Sequence, residues 1–213
     1  MAQCAGTSQF VNAVFQTAAG NPENQDRGAI IDCGTRLVLV VADGAGGLGG
    51  GAEAATMAVD LVRQEAADLN DPDSCVSVLR NVDRAIARDK VAGETTCVVT
   101  VVAESSVYGA SVGDSGAWVI GEQGPADLTK HQTRKPFLGS GCALPVSFNH
   151  KIMGGENLLL ATDGLFKYTS SDRIVDACRL VSPETAVKQL INLVRYASGA
   201  LPDDVTVIFA SSV

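Results

Sequence analysis

The residues of this chain best suited to chemistry are aspartates set in five short clusters. They read Asn24-Gln25-Asp26, Ala42-Asp43-Gly44, Gly113-Asp114-Ser115, Ala161-Thr162-Asp163-Gly164 and Asp203-Asp204-Val205-Thr206. In the last four an aspartate ends or begins an apolar run of strand character; in the first, Asp26 lies just before one. One Asp-Gly after such a run is an ordinary turn. A series of them is different, because an unpaired carboxylate at a buried strand end is costly. Several carboxylates become tolerable when they converge on a cation. Oxygen donors without a His or Cys partner suit Mg²⁺ or Mn²⁺ rather than Zn²⁺. A pair of such ions activates water near neutral pH and neutralises a phosphoryl group, with no Cys or His nucleophile required.

Gly44 to Gly51, six of its eight residues glycine, invites a nucleotide-loop reading, but it has no Lys-Ser/Thr and does not sit in a βαβ pattern. Following Asp43, its small residues instead let a cation approach the backbone, with the Gly44 carbonyl as a ligand. The six Cys include no C-x-x-C pair, and nothing near Cys97 would activate it. They are expected to be reduced thiols, with no export signal at the N-terminus, in a cytoplasmic protein. The net charge of -8 leaves no basic face for nucleic acid or an anionic membrane, and no apolar run is long enough to span a bilayer.

The elements that must position these aspartates follow from periodicity. Residues 10–17 alternate as a half-buried strand, and 29–33 and 37–41 form a hairpin around Gly34. Apolar spacing predicts a helix over 53–69, then a second over 75–88 after the Asp71-Pro72 start signal. Strands over 95–103, 107–112 and 117–120 read as a meander. Residues 130–145 are irregular. Strands at 146–152 and 157–161, helices at 172–180 and from the Ser182 cap to about 196, and a strand at 205–210 complete the chain. Strands joined by tight turns imply antiparallel sheets, and each amphipathic helix pair must cover a sheet face. The expected fold is α+β: a four-layer αββα sandwich, with residues 1–213 forming one domain.

With these segments in place, together with Gly93-Glu94-Thr95-Thr96, the chain resembles the metal-dependent protein phosphatases, the PPM or PP2C family, over essentially its whole length. The resemblance implies a serine/threonine protein phosphatase in which a metal-bridging water attacks phosphorus in line. It implies two Mg²⁺ or Mn²⁺ ions and a possible third. Asp43 resembles the bridging carboxylate and Gly44 the carbonyl ligand. Asp163 and Asp203 resemble the remaining ligands of the first ion, and Asp26 the acid that holds its water. Asp114 resembles a ligand, with Asp163, of a third ion. Asp26, Asp43 and Asp163 are thereby the expected catalytic residues. Asp204 reads as a turn and strand-start residue. Phosphorylated proteins, with a cognate Ser/Thr kinase, are the implied partners, and a monomer is expected.

The chain departs from the family pattern at three places. Asn21 stands where many members carry a phosphate-gripping Arg, Ala45 where many carry a loop His, and Gly116 where an Arg is usual. Lys130, Arg134 and Lys135, in the short stretch between Asp114 and Asp163, are the residues that could restore positive charge. His131 and His150 are expected to be surface or loop residues. The departures leave two alternatives to a protein phosphatase: a catalytically weak binding or regulatory module, and a phosphatase for a small phosphorylated metabolite.

Overall fold

Alternation along the strands decides the architecture seen in the computed structural model, which describes residues 10–45, 49–104, 106–179 and 182–212. The chain opens with β1 (Phe10–Ala18), β2 (Asp26–Asp32) and β3 (Leu37–Ala45), followed by α1 (Gly51–Glu65), a 3₁₀ turn and α2 (Pro72–Ile86). Next come a two-residue β4 (Glu94–Thr95), then β5 (Cys97–Ala103), β6 (Ser106–Val112), β7 (Gly116–Gly121) and β8 (Gly124–Asp127). β9 (Val146–Lys151) and β10 (Asn157–Ala161) lead into α3 (Asp163–Phe166), α4 (Ser171–Cys178), α5 (Pro183–Leu193) and β11 (Val205–Ser212).

The strands form two antiparallel sheets, ordered β1-β11-β10-β7-β8 and β2-β3-β5-β6-β9, with β4 paired to β3. On β3, Val38, Val40 and Ala42 pack with Ala54, Ala58 and Leu79 of α1 and α2. The intervening Leu39 and Val41 pack with Leu158, Leu160 and Ile208 of the opposite sheet. β11 repeats the pattern: Val207 and Phe209 join Leu190 and Ile191 of α5, while Ile208 and Ala210 face the other sheet. Both faces of each sheet are thus buried, and the layers run helix, sheet, sheet, helix. The fold agrees with the expected αββα sandwich.

The helices start where the chain supplies caps. Asp71 accepts from the Ser74 amide at 2.7 Å while the Ser74 hydroxyl accepts from the Asp71 amide at 3.1 Å, a reciprocal box with Pro72 at the first helical turn. Ser182 caps α5 one way, its hydroxyl accepting from the Thr185 amide at 3.4 Å, with Pro183 following.

One expectation is overturned. β7 does not continue a meander from β6; it pairs with β10 and β8 in the other sheet. The residues Gly113 to Ser115 carry the chain from one sheet to the other. Gly113 takes φ +97, and a side chain there would lie 2.6 Å from Thr96 Cγ2. β9 and β10 likewise lie in different sheets, and β8 and α3 are additional elements.

Candidate active site

The two sheets end together on one side. Antiparallel pairing sets Asp26 at the start of β2 directly across from Asp43 near the end of β3. From the other sheet, β10 ends at Ala161 and delivers Asp163 at the start of α3, while Asp203 lies two residues before β11. Asp114 lies on the crossing between β6 and β7. A cleft of about 570 Å³ is lined by Asp43, Gly44, Asp114, Asp163 and Asp203, with Asn21, Ala45 and Thr96 around them. Asp26, 2% exposed, lies behind it. The structure therefore brings together every aspartate singled out from sequence. Gly46, Gly47 and Leu48 of the glycine loop, and Cys4, lie outside the described residues.

The backbone of Asp43 is clamped. Its carbonyl accepts from the Thr95 hydroxyl and the Thr96 amide, both at 2.8 Å, and its amide donates to the Thr96 hydroxyl at 3.0 Å. This gives the Gly93-Glu94-Thr95-Thr96 segment its job. Gly44 is small for a local reason: a Cβ there would lie 2.3 Å from the Gly51 carbonyl oxygen at the start of α1. Asp26 is held from both sheets. Its Oδ2 accepts from the Thr162 hydroxyl at 2.7 Å, and Thr162 accepts in turn from the Thr206 amide at 2.9 Å. Arg27 donates to the Asn24 and Asp26 carbonyls, each at 2.8 Å, and to Thr56 of α1 at 3.0 Å.

The electrostatics are strained in one direction. Burial, then the charges of Asp26 and Asp163, push the Asp43 carboxyl up to about 9. Burial also pushes Asp26 up to about 7, against the hydrogen bonds of Thr162 and Thr206 and with help from Asp204 and Asp163. Asp163 is raised by burial and then by Asp114, with Lys167 opposing, and it lines the same cleft as Asp43. Carboxylates so placed repel one another and gain most from a cation.

The residues fit a divalent metal. Oδ1 of Asp26 is buried without a protein partner, and the donors facing the cleft are all oxygens. Among the described residues no three acidic, thiol or imidazole groups are gathered tightly enough to hold an ion by themselves. The fit is therefore to an open site completed by a carbonyl, water and substrate, the coordination that Mg²⁺ favours.

Among the described residues, two cations line the cleft. Arg134 places Nε 2.6 Å from Asp114 Oδ2 and is otherwise solvent-facing, 69% exposed. Lys167, not singled out from sequence, lies 4.0 Å from Asp203 Oδ2. Its signal was its place four residues after Asp163, one turn along α3. Lys130 and Lys135 are not among the lining residues: Lys130 borders an adjoining groove beside Asp127 and Trp118, and Lys135 stands 5.4 Å over the Phe137 ring. Asn21 does line the cleft, and its Nδ2 donates to Asp203 Oδ1 at 3.1 Å. Gly116 leaves no space for an arginine, since a Cβ would meet the Phe166 ring at 2.9 Å. His131 is exposed, and His150 is on β9, 3.6 Å from Glu156.

Two further aspartates were not expected to build the walls. Asp204, 5% exposed, accepts from the amides of Gly20, Asn21 and Gln25 at 2.8, 3.0 and 2.8 Å. This enlarges the turn role read from sequence, because the loop it holds carries Asn21. Asp83 of α2 does the same for residues 139–143 and gave no local signal except that it falls on the apolar stripe Val78, Leu79, Val82, Ile86.

Comparison with known proteins agrees with the fold. A bacterial serine phosphatase, solved as a single-residue variant, is 26% identical, with a TM-score of 0.83 over 94% of this chain and 97% of that one. The catalytic domain of the serine/threonine phosphatase PstP, solved with two manganese ions, is 22% identical, with a TM-score of 0.82 over 95% and 98%. The phosphatase Stp1 from Staphylococcus aureus is 22% identical, with a TM-score of 0.82 over 94% of each chain. The search of curated proteins gave no match. The family model described as stage II sporulation protein E (SpoIIE) matches residues 34–212, and on that match the chain belongs to the SpoIIE family of PPM-type phosphatases.

Proposed function

We propose that this chain is a metal-dependent phosphatase that hydrolyses phosphoserine and phosphothreonine in proteins. The observation that carries the reading is the convergence of Asp43 from one sheet and Asp163 from the other on a single cleft, both raised by burial and by neighbouring acidic charge. Asp43, Asp163, Asp203, Asp114 and the Gly44 carbonyl are the groups that would hold Mg²⁺ or Mn²⁺. The two manganese ions of PstP support that assignment. When bound, the ions supply neutralisation of phosphoryl charge and activation of water.

The chain's own groups do the rest. Arg134 and Lys167 flank the acidic floor and receive the phosphate, the arginine with a bidentate fork that Asn21 lacks. Asp26, buried behind the floor with Oδ1 unpartnered while Thr162 fixes the other oxygen, is placed to take a proton. Ala45 supplies no acid, so the serine or threonine alkoxide leaves with a proton from solvent. The same reading places the protein as a cytoplasmic monomer acting on the products of a Ser/Thr kinase. No helix among the described residues is long and apolar enough to cross a membrane. The test is release of phosphate from a phosphothreonine peptide with Mn²⁺ and with EDTA. Manganese binding by calorimetry without metal-dependent hydrolysis overturns the reading in favour of a binding module.

A further inference from the structure

We infer that Asp83, on the buried face of α2, is a positioning residue for the phosphate-binding wall, acting through the loop 134–143. The inference rests on the phosphatase reading for its substrate. Asp83 is 4% exposed. Its Oδ1 accepts from the amides of Gly139 and Gly141 at 2.8 and 3.0 Å, and its Oδ2 from Ala143 at 3.1 Å. A buried carboxylate adds little stability compared with an apolar residue of its size. Here all three charge-assisted bonds are directed at one loop.

That loop is built to meet it. Gly139 takes φ +98, and a Cβ there would lie 2.6 Å from the Gly93 carbonyl and 2.7 Å from Ile86 Cγ2. Gly141 takes φ +74. Both conformations favour glycine and turn alternate amides toward the carboxylate. Between this anchor and the cleft, Leu138 exchanges two 3.0 Å backbone bonds with Thr95, the residue whose hydroxyl holds the Asp43 carbonyl. Phe137 then lines the cleft, and three residues earlier Arg134 reaches in from solvent. The loop is therefore fixed at its far end by Asp83 and Thr95, and at its near end presents Arg134, held there by its side-chain pair with Asp114. Releasing the fixed end lets Arg134 and Phe137 spread over more positions, which weakens phosphate binding before it affects the metal floor.

The test compares wild type with Asp83→Asn and with Gly141→Ala. The latter strains the loop while leaving Asp83 and the helix untouched. Each protein is measured for KM and kcat on a phosphothreonine peptide, affinity for inorganic phosphate, Mn²⁺ affinity, thermal stability, and amide exchange at Gly139 and Gly141. The expected result is roughly a fivefold rise in KM and in the phosphate dissociation constant, with kcat and Mn²⁺ affinity within about twofold of wild type and faster exchange in the loop. A double-mutant cycle with Arg134→Ala should be non-additive, the Asp83→Asn effect largely vanishing when the arginine is gone. A merely structural Asp83 would lower thermal stability and leave KM unchanged. Unchanged KM and phosphate affinity in folded Gly141→Ala and Asp83→Asn, or a KM effect that persists undiminished beside Arg134→Ala, overturns the inference. If wild type hydrolyses nothing, the phosphatase reading fails by itself, and phosphate affinity with amide exchange still decides the role of Asp83.

Discussion

Metal binding should release protons, and the amount can be worked out from the site. The Asp43 carboxyl is pushed up to about 9, so at pH 7.5 it is almost wholly protonated in the metal-free protein. Removing that proton costs about 2 kcal/mol, at about 1.4 kcal/mol per unit, or roughly 30-fold in affinity. A metal ligand must be deprotonated. One proton per chain from Asp43, with a fraction more from Asp26 at about 7, should therefore leave as Mn²⁺ binds. Titration calorimetry in two buffers of different ionisation enthalpy measures this number directly. The dissociation constant should fall about tenfold per pH unit between pH 6.5 and 8.5. The stability of the metal-free protein follows with the opposite sign. Both carboxyls sit above their ordinary value of 3.8, so their contribution is fully present below that pH and is lost as pH rises through about 7 and about 9. The metal-free Tm should fall across that window, and saturating Mn²⁺ should restore it. Binding heats independent of buffer, with an affinity flat in pH, would refute the assignment of Asp43 as a shared, repelled carboxylate.

The remaining predictions concern single groups. Asp43→Asn and Asp163→Asn should each lower turnover by several orders of magnitude, while Asp43→Asn raises the metal-free Tm at pH 7.5 because a neutral amide needs no proton uptake to be buried; near-normal turnover at saturating Mn²⁺ would be decisive against both roles. Arg134→Ala should raise KM for phosphopeptide by about tenfold, the loss of a bond to a charged group worth roughly 1.5 kcal/mol, whereas Lys130→Ala and Lys135→Ala should leave it unchanged. Iodoacetamide at pH 7.5 should spare Cys75, Cys97 and Cys178, whose thiols burial pushes up to about 12. Any label should fall on other cysteines, such as Cys33 or the exposed Cys142, with phosphate release retained, as mass mapping beside an activity assay will show.

What could be read from the chain itself was what is written locally. Apolar runs ending in aspartate marked the strand ends, and the helix caps at Asp71 and Ser182 marked where helices begin. The sheet membership of β7 was not legible, because a short turn such as Gly113 to Ser115 looks alike whether the chain returns along its own sheet or crosses to the next. The four residues of β8, two of them Gly124 and Pro125, and the single turn of α3 are too short for a period to show. At the site, the aspartates announced themselves by pattern. Their supports did not: the clamp of Thr95 and Thr96 on Asp43, and that of Thr162 on Asp26, exist only through pairing across long stretches of chain. Asp83 is the instructive omission. An acid within the stripe of Val78, Leu79, Val82 and Ile86 conflicts with an apolar interface, and such a conflict is itself a reason to look for a partner.

The distribution of the aspartates between sheets has a mechanical meaning. Asp26 and Asp43 travel with one sheet, and Asp163 and Asp203 with the other. An ion held by Asp43 on one side and by Asp163 and Asp203 on the other would be a rivet through the two halves of the sandwich. The gap it must span is set by the layer between the sheets, where Leu39, Val41, Leu158, Leu160 and Ile208 interlock. Interiors of that kind are close-packed and pass small displacements on rather than absorbing them. A methylene lost from Leu160 would let the sheets settle against each other and detune the grip on the ion from a distance. The dimensions of the acidic floor are thus set by side chains that never touch it.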